Sequence, residues 1–139
     1  MNTTTLEILL ITAAALQAAV AVLNLFLPRI MKWRQDLDAV SLLLREVFQM
    51  HLWFISLILA IFAVMTWRYA AHMAVADSAE VYHWLAAAIG LFWGVRGVLQ
   101  MTYYSSSHWR GIPKRLVAHI TLIVIYGGMA AVYTIAAFR

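Results

Sequence analysis

The sequence predicts an all-α integral membrane fold, four transmembrane helices in an up-down-up-down bundle. Three observations carry that expectation. Hydrophobic residues make up 65% of the chain and charged residues 12%, about half the charged share of an ordinary soluble domain. Mean hydropathy is +0.83, a value expected of surface that meets lipid. Four stretches of 21 residues or more lack Asp, Glu, Lys and Arg, with Arg96 the one exception.

The stretches cover residues 8–28, 47–67, 81–104 and 116–138. Each reaches the roughly 20 residues that a helix needs to cross a bilayer. Unpaired backbone groups in lipid are so costly that helix is the conformation expected of all four. With flanking turns the helices are placed at about 6–28, 40–69, 78–105 and 114–138, one transmembrane domain over 1–139. The first run follows Met-Asn-Thr-Thr-Thr-Leu-Glu with no positive charge ahead of it. A cleaved signal would carry one, so the run is read as a retained helix. Pro28 is expected to end it. Asp77 with Glu80 reads as a capping box for the third helix, and Pro113 suits the start of the fourth.

Orientation follows from the basic residues. The first connection holds Arg29, Lys32, Arg34 and Arg45, and the third holds Arg110, Lys114 and Arg115. The second connection and the termini hold only Arg68 and Arg139. The positive-inside rule then places the first and third connections in the cytoplasm and both termini outside, in a bacterial inner membrane. Trp67, Tyr69, Tyr82 and Trp84 fit an outer aromatic belt; Trp33, Tyr103, Tyr104 and Trp109 fit an inner one. A nucleic-acid partner is not expected, because the basic residues flank apolar runs and form no soluble patch. Without cysteine, thiol redox chemistry, disulfides and thiolate metal sites are excluded.

Polar residues inside the spans crowd toward the cytoplasmic half. Asn24, Glu46, Gln49, Arg96 and Gln100 are expected to form a polar layer there, with Arg96 about 12 Å in from Ser105. Ionisable groups at such depth seek partners. Glu46 is the acid nearest in level to Arg96, so an intramembrane salt bridge between them is expected. Gln49 and Gln100 would add hydrogen bonds from the same helix faces. The layer reads equally as a clamp between helices or as a pocket. Arg45 is expected to snorkel to headgroups.

His51 and His119 lie at similar depth on different helices. The pair, with Tyr126, makes a candidate b-type haem or quinone site; ordinary interfacial histidines with paired tyrosines are the plainer reading. Glu80-x-x-His83, with His72 and Asp77, is a weak metal candidate at the outer end. His108 is expected to face headgroups. Gly90 and Gly94 form a GxxxG motif, flanked by Ala86 and Gly97, that would admit a second helix closely, with Gly127–Gly128 as a complementary notch. His119, Ile123, Tyr126, Ala130 and Tyr133 form a stripe of the fourth helix.

These features fit a non-catalytic bundle best: an accessory subunit, or a protein that binds lipid or a small ligand. Membrane lipids and other membrane chains, or further copies of itself, are the expected partners. The alternatives are an electron-transfer protein holding haem or quinone, and a small oligomeric transporter of solute or protons.

Overall fold

The structure, a computed structural model, describes residues 1–33, 37–103 and 113–139, with side chains from 116 onward in the last segment. Arg34, Tyr104, His108, Trp109, Arg110 and the side chains of Lys114 and Arg115 therefore lie outside the described residues. Four long helices are present: α1 (Thr3–Ile30), α2 (Leu42–Met73), α3 (Glu80–Thr102) and α4 (Pro113–Ala137). All four are long and apolar enough to cross a membrane.

Local chemistry sets the ends. Asn2 caps α1, its Oδ1 accepting from the Thr5 amide at 2.7 Å. Ser41 caps α2, accepting from the Leu44 amide at 3.4 Å, so α2 begins after Ser41 and not at Val40. Pro28 lies inside α1, in its last turn. It withholds a donor from the Asn24 carbonyl, yet the helix continues to Ile30. There Lys32 adopts a left-handed φ of 55°. The Trp33 amide then reaches the Pro28 carbonyl (3.1 Å) and the Lys32 amide reaches Arg29 (3.3 Å). This paired closure usually has glycine at the left-handed position.

The capping box expected at Asp77 and Glu80 does not form. Ala79 occupies the N-cap with no side-chain bond to the helix. Glu80 is the first helical residue, too early to reach back as a capping-box glutamate, and the Ser78 hydroxyl instead contacts His83 at 3.2 Å.

Every helix buries a stripe spaced alternately three and four residues apart. In α2 it runs Leu52, Ser56, Leu59, Ala63, Thr66, Ala70 and Met73. In α3 it is Ala86, Ile89, Gly90, Trp93, Gly97 and Gln100; in α4, Tyr126, Met129, Tyr133 and Ala136. This period of 3.5 belongs to helices that pack at shallow angles. Small and weakly polar residues recur in the α2 and α3 stripes, as they do where membrane helices meet, while Tyr126, Met129 and Tyr133 make most of the α4 stripe. Large apolar side chains point outward: Leu43, Val64, Trp84 and Leu91 are each more than 65% exposed. So continuous an exposed apolar surface is suited to lipid and not to water.

The chain divides into two compact units. One comprises Met1–Leu10 with Tyr69–Arg139, the other Ile11–Arg68. In the second, α1 and α2 run antiparallel: Asn24 meets Leu52 and Ser56, and the Trp33 ring meets Phe48 edge-on at 5.7 Å. In the first, α3 and α4 are antiparallel, with His83 against Ala136, Gly90 against Tyr133 and Gly97 against Tyr126. The close approach is at Gly90, where an added Cβ would lie 3.2 Å from the Tyr133 Cβ. Gly94, Gly127 and Gly128 have nothing within 4 Å of that position. The expected GxxxG seam and glycine notch are therefore corrected: Gly90 makes the contact, and Gly94 points off the seam.

Candidate functional site

The site builds outward from Arg96. It lies six residues from the end of α3, about 9 Å along the axis, and is half-buried. Its Nη1 donates to Gln100 Oε1 at 3.0 Å, one turn nearer that end. Its Cζ lies 5.0 Å from the Tyr126 ring centroid, within cation–π range. Tyr126 is buried and stacks on Trp93 at 5.2 Å and 28°. Trp93 is buried in turn, 1% exposed, with Phe92 set edge-on to it.

Gln100 passes the chain across to α4. Its Nε2 lies 3.0 Å from His119 Nδ1. Arginine has only donors, so Gln100 must turn its carbonyl oxygen to Arg96. Its amide nitrogen then faces His119 and donates, and His119 Nδ1 accepts. The ring proton of His119 is thereby assigned to Nε2. Arg96, Gln100 and His119 form a hydrogen-bond chain of one polarity, its middle member 2% exposed.

The salt bridge expected between Arg96 and Glu46 would join the two units and is not among the described ion pairs. The ion pair seen among the described residues is Arg45 with Asp38 at 2.9 Å, both largely exposed. Pairs of that kind contribute about 0–1 kcal/mol, and this one engages the arginine expected to snorkel. Glu46 and Gln49 are exposed. Arg96 reaches an amide and an aromatic face within its own unit, and these supply the partners that an acid was expected to supply.

Asn24 belongs to a separate polar cluster in the other unit. Its Nδ2 donates to the Leu52 carbonyl (3.1 Å) and to Ser56 Oγ (2.9 Å), while Ser56 donates to the same carbonyl at 2.8 Å. This triad ties α1 to α2.

The other described histidines, His51, His72 and His83, each have a specific contact. His51 is exposed, its Nδ1–H on the Val47 carbonyl of its own helix at 2.8 Å. His83 donates from Nδ1 to the Ala136 carbonyl at 3.0 Å, satisfying a carbonyl in the last turn of α4 that has no helical donor. His72 stacks on Tyr82 at 4.7 Å and 12°, with Tyr69 alongside. Among the described residues no group of three or more His, Asp or Glu side chains is placed to hold a metal. His72, Asp77, Glu80 and His83 are thus not brought together as ligands.

No family model, curated protein or solved structure matches this chain.

The sequence marks Arg96, Gln100, His119 and Tyr126 as polar or candidate site residues but divides them between a salt-bridged layer and a cofactor pair. Nothing in it points to Trp93 or to the seating of Arg96 on Tyr126. No counting rule gives that seating: Arg96 stands six residues before the end of α3 and Tyr126 thirteen residues after the start of α4, so equal distance from the connection does not set them level.

Proposed function

We propose that this chain is a small multi-pass membrane protein acting without catalysis, an accessory subunit or a binder of lipid or a small ligand. Its binding locus is the Arg96–Gln100–His119 chain on α3 and α4. In this reading the helices run up-down-up-down, both termini and the turn before α3 lie outside, and the Thr102 end of α3 faces the cytoplasm. The seven-to-two distribution of loop basic residues supports that orientation. The observation that carries the function is the hydrogen-bond chain itself. A fixed cation at the edge of an apolar surface is costly to place, and here an amide and an aromatic ring hold it in position.

The chain contains no cysteine, so single cysteines can be introduced without background. Ala39→Cys in the first connection and Ala76→Cys in the second are labelled in sealed right-side-out vesicles with an impermeant maleimide. Ala76→Cys should react and Ala39→Cys should react only after permeabilisation. The reverse pattern overturns the orientation. Release of the chain from membranes by alkaline carbonate overturns the membrane reading altogether.

A further inference from the structure

We propose that Arg96 is the anchor of a phosphate-type oxyanion site, and that its natural occupant is the headgroup phosphate of an anionic phospholipid. The inference rests on the membrane reading above and names the ligand class for the same locus.

A guanidinium carries five N–H donors in a planar fork. Arg96 commits Nη1 to Gln100, and its other contact is the Tyr126 face. Both partners are neutral, so the positive charge is oriented but not neutralised by any described carboxylate. The side chain is only partly buried, and its remaining donors are the ones a phosphate would take. Planar, bidentate recognition of phosphate is what such a fork does best.

Depth and surroundings favour a lipid. The side chain extends toward Gln100, toward the Thr102 end of α3, which brings the charge near headgroup level. Val95 and Leu99 flank Arg96 and are about half exposed, and Leu91, farther into the span, is 69% exposed. An acyl chain can lie along these while its phosphate meets the guanidinium. The fork is also pre-organised, since Gln100 is itself held by His119; less side-chain entropy is lost on binding than at a mobile surface arginine.

The test uses the full chain in nanodiscs of phosphatidylcholine, with or without phosphatidylglycerol, read by thermal unfolding and by lipid retention in native mass spectrometry. Wild type should unfold at higher temperature with phosphatidylglycerol and retain it several-fold over phosphatidylcholine. Arg96→Gln should lose both effects. Lys32→Gln, at a loop charge outside the site, should keep them. A third arm adds inorganic phosphate to phosphatidylcholine discs. Stabilisation there that Arg96→Gln abolishes supports the oxyanion site with a soluble ligand as its source. If Arg96→Gln does not fold, a photoreactive phosphatidylglycerol on wild type decides: crosslinks on α3 or α4 near Arg96 support the site, and crosslinks confined elsewhere overturn it. The proposal is also overturned if wild type shows no preference, or if Arg96→Gln keeps it undiminished. A chain that inserts and folds but shows no preference sinks this inference alone; a chain that does not insert sinks the membrane reading.

Discussion

Alanine at Gly90 should destabilise the fold while alanine at Gly94 should stabilise it, although the two residues share one GxxxG motif. A Cβ at Gly90 meets the Tyr133 Cβ at 3.2 Å, the Thr134 backbone nitrogen at 3.3 Å and Thr134 Oγ1 at 3.5 Å. Two of these are the Cβ and main chain of α4, so the helix backbone itself must give by a few tenths of an ångström. Overpacking of this kind costs about 1–3 kcal/mol, offset by about 0.5–1 kcal/mol for replacing a mid-helix glycine. The net expectation is a loss of about 1 kcal/mol. At Gly94 the new methyl enters open space and only the gain of about 0.5–1 kcal/mol remains. Gly97→Ala, 3.7 Å from the Tyr126 Cβ, should be neutral or slightly favourable. Reversible unfolding in mild detergent, followed by tryptophan fluorescence, should separate Gly90→Ala from Gly94→Ala by about 2 kcal/mol. Equal losses at both positions, the pattern of a seam that uses both glycines, would refute the reasoning.

Asn24→Leu should lower stability by about 1 kcal/mol by cutting the two donations that tie α1 to α2. A double-mutant cycle with Ser56→Ala should give a coupling of about 0.6 kcal/mol or more; zero coupling contradicts the triad. Lys32→Gly should raise stability by about 0.5–1 kcal/mol, because the left-handed φ of 55° suits glycine and strains lysine. A loss on that substitution in the same unfolding assay would mean that Lys32 does not close α1 in this way.

The number and approximate places of the helices were legible in the sequence, because the bilayer's thickness imposes a length and unpaired backbone imposes helix. Each of the four charge-poor stretches lies mostly within one helix of the structure. Which face of each helix is buried was not legible. In a soluble helix the apolar stripe marks the core, but these helices are apolar all round and offer no such contrast. Their cores are stripes of mixed size at a 3.5-residue period, a signal readable only when the neighbouring helix is in place. The same limit governed the site. Arg96, Gln100 and His119 stood out as polar residues where polarity is costly, so the sequence by itself determined the members. Their pairing depended on the antiparallel register of α3 and α4. That register brings Gln100 to His119 and Tyr126 beneath Arg96, and gives the arginine an amide and an aromatic face as partners. Partner choice is decided over a few ångströms by side-chain direction, and side-chain direction exists only once the helices have packed.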